Sequence, residues 1–479
     1  MAENCINIGD FVIVQRQDYI KLHRMSSKDC MLGKDQIDMG AVIGKPVWTT
    51  YKITPKKTGK RSFYLEECSN TGSLTEQLIK NVTSGIDNRN ICDDGRSQLL
   101  STEEIVELRT SGLSGQEIVG QLIENSKTFH NKTEYSQEKY LKKKEKKYFE
   151  YITIRRPTIR LISEIMYRVD PLKIMGLRMD TLTQILTAIG LHSNGTYMVY
   201  ETGCQGLVVA AMLNQLSVGG NLVHIHSGNF PQKNAVNAMN FSSEQLSRLT
   251  QVNVYSLLRK LWQENSSNDS NGIDKCDEDK SILENENSNN ETAKQEEELA
   301  QGSKSNVSGL DDDDDDDDDT MKVEIDFNND EMMEHQDSEL SKTEDNANGK
   351  KRKHSDDEES ESKKPRWEQE TEKAADILRP CKVNGLVIVS REHPSNILNV
   401  LLPYLGSSRP FVVYSLYREP LLELQMELKG KHNTVGLRVT ESWLRRHQIL
   451  PNRTHPDIIM SGGGGYLLSG IVVGSESKN

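Results

Sequence analysis

The stretch "VYETGCQGLVVAAML", Val199–Leu213, decides how the second half of this chain is read. An apolar run ends on an acid, Glu201, passes through a glycine turn and continues as an apolar segment of helical character. This is the pattern of a strand, turn and helix opening an α/β nucleotide-binding domain. There, glycines let a ligand approach the backbone, and helix-terminal N–H groups receive its acceptor atoms. Against a working E-x-G-x-G-x-G turn, Glu201 and Gly203 match, but Gln205 and Leu207 stand where small residues belong, with Gly206 out of register. The next strand, "NLVHIHSG", ends in His226-Ser227 and offers no carboxylate for a ribose. The turn is therefore expected to preserve the fold while holding no cofactor, with the Gln205 side chain projecting into the ligand's space.

Working outward, helix-like and strand-like patterns alternate from about residue 158. "LRMDTLTQILTAIGL" precedes the opening strand "TYMVYE". "NGLVIVSREHP", "SNILNVLLPYL", "RPFVVYSLY" and "EPLLELQMELKG" follow later. Such alternation predicts a parallel, helix-covered sheet over 158–479. The last two strands, "TVGLRVTESWLRR" and "DIIMSGGGGYLLSGIVVG", are expected to pair antiparallel around a turn at Gly462–Gly465. Residues 1–100 show short strands with Gly and Asp punctuation ("GDFVIVQR", "DYIKLHRM", "GAVIGKPVWTTYKI", "RSFYLEE"), the pattern of a small β-barrel or sandwich. Residues 101–157 change to a helical period, opening on Ser101 or Thr102 as a cap. The predicted fold class is mixed α/β: an N-terminal β-barrel, a helical linker and a Rossmann-like α/β domain of the kind that binds a dinucleotide or S-adenosylmethionine.

An insertion interrupts that domain at 263–372. Between Gln263 and Ser362 there are 35 Asp/Glu and 10 Lys/Arg, a net of −25, so the remainder of a chain of net −13 carries +12. With nine consecutive aspartates, Asp311–Asp319, and few aromatic residues, the segment is expected to be disordered. The acidic total thus hides a basic body, suited first to nucleic acid and second to an anionic membrane surface. Two basic clusters in the insertion, Lys350-Lys351-Arg352-Lys353 and Lys363-Lys364-Pro365-Arg366, read as a bipartite nuclear import signal. They also fit simple charge balance of an acidic coil. The seven cysteines are scattered with no CxxC, which argues against disulfides and thiolate zinc. No apolar run approaches the roughly 20 residues that span a bilayer, and the N-terminus has no apolar leader core, so a soluble protein without membrane contact is expected.

Few motifs carry chemistry. "SGGGGYLLSG" lacks the Lys-Ser/Thr of a phosphate loop and suits a flexible turn near RNA or a neighbouring subunit. His224 and His226 share a strand face, but no third metal ligand accompanies them. No catalytic constellation is present. The basic helix is more informative: Lys142, Lys143, Lys144, Lys146 and Lys147 fall within two turns, flanked by Tyr140, Tyr148 and Tyr151. Phosphate contact with aromatic rings available for stacking fits this pattern, and so does a solvated charged helix. Lys56, Lys57, Lys60 and Arg61 add a second basic patch.

Four stretches together resemble a known family: "YSQEKYLKKKEKKY", "RPFVVYSLYREPLLEL", "RVTESWLRRHQILPNRTHPDIIMSGGGGYLLSG" and the degenerate "YETGCQGLVVAAM". They are similar to the non-catalytic subunit of the eukaryotic tRNA adenine-58 N1-methyltransferase. The resemblance implies a barrel joined through helices to a methyltransferase-like domain, and an α2β2 heterotetramer with a catalytic paralogue that binds S-adenosylmethionine. It also implies tRNA as the partner and 1-methyladenosine in the T-loop as the product. The catalytic acid of the paralogue is expected after the fourth strand, where this chain has Ser390 and Arg391. No catalytic residue and no cofactor are then expected here. Arg391, Arg409, Arg418 and the lysine helix become candidate RNA contacts, since an arginine is a poor base but a good phosphate ligand. The competing readings are a stand-alone S-adenosylmethionine-dependent RNA methyltransferase with a divergent turn and a nuclear acidic-tract chaperone.

Overall fold

A computed structural model describes residues 5–56, 61–68, 84–85, 97–110, 113, 115–148, 150–269, 364–449, 454–457 and 462–473. The aspartate run, Lys57, Lys60, the cluster Lys350–Lys353 and Lys363 lie outside the described residues. The described residues up to Leu261 and from Lys364 onward form one compact unit.

The N-terminal sheet has seven strands: β1 (Phe11–Arg16), β2 (Tyr19–Arg24), β3 (Cys30–Leu32), β4 (Asp35–Ile37), β5 (Thr50–Pro55), β6 (Ser62–Glu67) and β7 (Tyr151–Arg155). Their order is β2-β1-β7-β5-β6-β4-β3, antiparallel except between β4 and β6. One apolar core collects Val12, Val14, Leu32, Ile37, Tyr51, Leu65 and Ile154 from strands right across this order. The outermost strands also meet, since Lys21 Nζ on β2 donates to the Met31 carbonyl on β3 at 2.7 Å. The sheet is therefore rolled into a nearly closed barrel. Its interior strand β7 comes from the segment expected to be linker, so the barrel is not confined to residues 1–100. Pairing of β7 with β1 and β5 ties the end of the helical linker to this sheet.

Three linker helices, Thr102–Thr110, Gly115–Glu124 and Glu134–Tyr148, precede β7. The first carries reciprocal capping: Glu104 N–H donates to Ser101 Oγ (3.2 Å) while Ser101 N–H donates to Glu104 (2.8 Å). The linker has its own core of Ile118, Val119, Leu122, Ile123, Phe129, Leu141 and Tyr148.

The second sheet comprises β8 (Thr196–Glu201), β9 (Asn221–His226), β10 (Leu249–Asn253), β11 (Gly385–Val389), β12 (Pro410–Ser415), β13 (Thr434–Trp443) and β16 (Gly463–Val472), with a short hairpin β14 (His447–Gln448) and β15 (His455–Pro456) between the last two. Its order is β10-β9-β8-β11-β12-β16-β13. The first five strands are parallel, and β16 runs antiparallel to both neighbours. Side chains alternate between two cores: Tyr197, Val199, Val387 and Val389 face one helical layer, Met198, Tyr200, Leu386 and Ile388 the other. Helix Arg366–Leu378 packs in the second layer through Ala374, Ala375 and Leu378, so ordered structure begins inside the span 263–372 read as disordered.

The antiparallel end pair is present, but Gly462–Gly465 does not form its turn. Gly463, Gly464 and Gly465 open strand β16, and the connection runs from Leu444 to Gly462 past the β14–β15 hairpin. The glycines answer to crowding. Arg178 Nη1 donates to the carbonyls of Gly462 (3.2 Å) and Gly463 (3.1 Å), and Thr181 Oγ1 to that of Gly464 (2.8 Å). Asp180 aligns Arg178 and accepts from Ser442 Oγ at 2.9 Å. A Cβ at Gly464 would stand 2.8 Å from Thr181 Oγ1, and one at Gly465 (φ +80°) 2.6 Å from the Tyr414 ring.

Gly465→Ala should therefore cost about 2–4 kcal/mol, combining a left-handed backbone with overpacking against a buried tyrosine. Denaturant titration of the full chain checks this; an unchanged midpoint would mean that Tyr414 can give way.

Candidate functional site

The glycine turn lies at the carboxyl end of β8, beside β11, where an open α/β sheet ordinarily takes a ligand. Glu201 is buried, and its carboxylate accepts from Gly206 N–H (2.7 Å) and Val209 N–H (3.0 Å), fastening the turn to the helix Leu207–Leu213. Burial pushes the Glu201 carboxyl up to about 7, against the opposing pull of those backbone donors.

The rest of the turn is occupied by the chain itself. Gly203 N–H and Gln205 N–H, the donors that would meet a ligand, both point to Gln232 Oε1 at 3.1 and 3.0 Å. Arg391, just beyond β11, lays its side chain on Gly203; a Cβ there would meet its Nε at 2.7 Å and its Cγ and Cδ at 3.2 Å. Gln205 takes a left-handed conformation (φ +59°), but its amide does not project over the turn. Its Oε1 accepts from Asn234 Nδ2 at 2.6 Å. The expectation that Gln205 fills the ligand's space is thus corrected: Gln232 and Arg391 fill it.

Among the described residues around the turn, Ser390 and Glu392 are engaged by other groups of the chain. Ser390 Oγ donates to the Glu392 carbonyl at 3.0 Å, and the Glu392 carboxylate is held by the Tyr200 hydroxyl. At the end of β9, where a ribose-binding acid would stand, His226 Nδ1 bonds the Gly228 carbonyl at 2.8 Å. His224 is wholly buried, and burial lowers it to about 3, so it is neutral. Among the described residues no three metal-ligating side chains come together.

The candidate RNA contacts fall on separate surfaces. Arg391 and Arg418 are both exposed and follow the carboxyl ends of β11 and β12; exposed Arg409 precedes β12, at the opposite edge of the sheet. Lys142, Lys143 and Lys144 lie on the linker helix Glu134–Tyr148, followed in the same helix by Lys146 and Lys147. Lys142 and Lys143 are exposed, with Lys142 paired to Glu138 at 2.9 Å. Lys144 Nζ sits 5.4 Å from the Tyr140 ring centroid, and Lys132 Nζ 5.5 Å. Two of the neighbouring tyrosines are spent on the linker core, while Tyr151 opens β7: Tyr148 is buried and Tyr140 packs on Phe129 at 5.3 Å between centroids. Burial pushes Tyr140 up to about 12. Tyr140 and Tyr148 are not free for bases to stack on, contrary to expectation. Of the import clusters, Lys364 pairs with Glu372 at 3.2 Å and Arg366 with Glu370 at 3.1 Å, all at the surface. Sequence reasoning missed Gln232, a polar residue in a loop with no motif around it.

Two outcomes follow from the turn. Gln205→Gly should restore a glycine yet gain no S-adenosylmethionine binding by calorimetry, because Gln232 and Arg391 remain; heat of binding in the single variant would contradict this. Glu201 binds its proton more tightly folded (about 7) than at its ordinary 4.5. Its protonation stabilises the fold fully below pH 4.5, and this stabilisation is lost as pH rises through 7. The melting temperature of Glu201→Gln relative to the native chain should therefore climb across that window.

The Gcd10p family model matches residues 5–304. The chain is 34% identical to the protein named tRNA (adenine(58)-N(1))-methyltransferase non-catalytic subunit of Mus musculus, over 100% of this chain and 90% of that protein. It is 29% identical to the protein of the same name from Dictyostelium discoideum, over 98% of this chain and 80% of that one. Barrel, linker and α/β domain are all included in the matches to the two relatives, and the chain belongs to the Gcd10p family together with the non-catalytic subunits of tRNA (adenine(58)-N(1))-methyltransferase.

Proposed function

We propose that this chain is the catalytically silent, tRNA-holding subunit of a complex that forms 1-methyladenosine at position 58, in the T-loop of tRNA. A paralogous subunit supplies S-adenosylmethionine and the chemistry, and the two assemble as an α2β2 heterotetramer. The observation that carries this reading is the filled turn: Gln232 takes both backbone donors and Arg391 covers Gly203. A site so occupied favours a subunit over a stand-alone methyltransferase. The chaperone reading rests on the acidic run alone, which lies outside the described residues.

RNA is held electrostatically. The exposed lysines of the linker helix, with Arg391 and Arg418 at the carboxyl edge of the sheet, supply cations to phosphates, on a body of net +12 outside the acidic segment. The basic clusters from Lys350 to Arg366 act as a nuclear import signal, placing the complex in the nucleus. The surface pairs of Lys364 and Arg366 are screened by solvent and do not prevent recognition.

Methyl transfer to unmodified tRNA tests the division of labour. Activity is expected only when this chain and a catalytic paralogue are combined; transfer by this chain alone would overturn the reading. Replacing Lys142, Lys143 and Lys144 by Ala should weaken tRNA binding and flatten the salt dependence by up to about 0.9 in slope for each phosphate no longer neutralised. An unchanged slope would remove that helix from the RNA surface.

A further inference from the structure

One exposed aromatic residue on the barrel sits where its backbone disfavours it. Trp48 N–H donates to the Ile154 carbonyl at 2.6 Å, and Ile154 N–H donates to the Thr49 carbonyl at 3.0 Å. Two residues, Trp48 and Thr49, thus oppose one on β7, which is a bulge at the head of β5. Its first position is left-handed, φ +73° at Trp48, the place a glycine usually takes. Core packing does not explain the choice, because Trp48 is 57% exposed while its neighbour Val47 packs against the barrel core. The Arg155 guanidinium lies over the indole, its Cζ 4.6 Å from the ring centroid. Arg155 is itself held by a 2.6 Å bond from Nη1 to Gln15 Oε1.

We propose that Trp48 and Arg155 form a stacking platform for one unpaired base of RNA. The proposal rests on the tRNA-holding reading and adds a site on the barrel to it. A bulge re-aims the side chain it carries, and here it turns a large flat ring into solvent with a fixed cation on it. A base can stack on the accessible indole surface, while the guanidinium supplies a planar donor for the base or its phosphate. The basic body draws the polyanion in, and Tyr140 and Tyr148 of the lysine helix, packed in the linker core, cannot serve the same purpose.

The test uses the full chain and unmodified tRNA across a salt series, with Trp48→Gly and Trp48→Tyr. Glycine suits the left-handed position, so Trp48→Gly should keep or raise the melting temperature. Its tRNA affinity should fall on the order of 10-fold, the contribution of one stacked base, with an unchanged salt slope because every cation that meets a phosphate is still in place. Trp48→Tyr should retain most of the affinity. Equal affinity of Trp48→Gly and the native chain would overturn the platform and leave the tRNA-holding reading standing. Failure of the native chain to bind tRNA, alone or with its catalytic partner, would overturn both. Normal RNA affinity with impaired assembly in Trp48→Gly would mean that the ring docks a protein, and a lowered melting temperature with unchanged affinity would make it a structural residue.

Discussion

A strand has two faces, and β1 must bury both. Val12 and Val14 enter the barrel core, while Ile13 between them joins Ile20 and Leu22 of β2 in the core of the α/β domain. Asn240 reinforces this seam by bonding both backbone groups of Phe11, at 2.8 and 2.7 Å. Because successive side chains of a strand alternate by necessity, the barrel cannot turn relative to the larger domain without exposing one of its two apolar sets. That constraint holds the linker helix, the Trp48 bulge and the carboxyl edge of the second sheet on one body. Surfaces separated by long stretches of chain can then act together on a single large ligand.

The glycine turn is governed by a different accounting. Buried or half-buried backbone N–H groups need acceptors, whether from a ligand or from the chain. In this turn Glu201 serves the helix start and Gln232 serves Gly203 and Gln205. The backbone donors of Gly203, Gln205, Gly206 and Val209 are thereby met by the chain itself. Loss of chemistry costs the architecture little, since the strand order and the two helical layers depend on apolar alternation and not on the ligand.

Left-handed backbone is used in two opposite ways. At Gly465 it occurs where Tyr414 leaves no room for a side chain. At Trp48 it occurs with a large side chain that lies outside the apolar core and carries the Arg155 guanidinium on its ring. The first answers to the core, and the second points toward something outside the chain.

The sequence by itself determined the architecture. The strand-to-helix alternation, the serine-capped linker and the mismatched turn were all legible in local order, because apolar periodicity and capping act over a few residues. That Ser390 and Arg391 stand where a catalytic acid is expected came from the family resemblance and not from local order. What only the tertiary structure decided depends on contacts between distant segments. Gln232 reaches the turn across 29 positions, and β7 returns to the barrel after the linker helices. The four-glycine run looked like a hairpin turn, since glycine signals turns and close approach alike. Only the arrival of Arg178 and Thr181 from nearly three hundred residues away distinguishes them. Tyr140 and Tyr148 beside the lysines likewise looked available until the linker helices packed on them. A linear pattern shows which side chains are apolar, but the partners that cover them come from elsewhere in the chain.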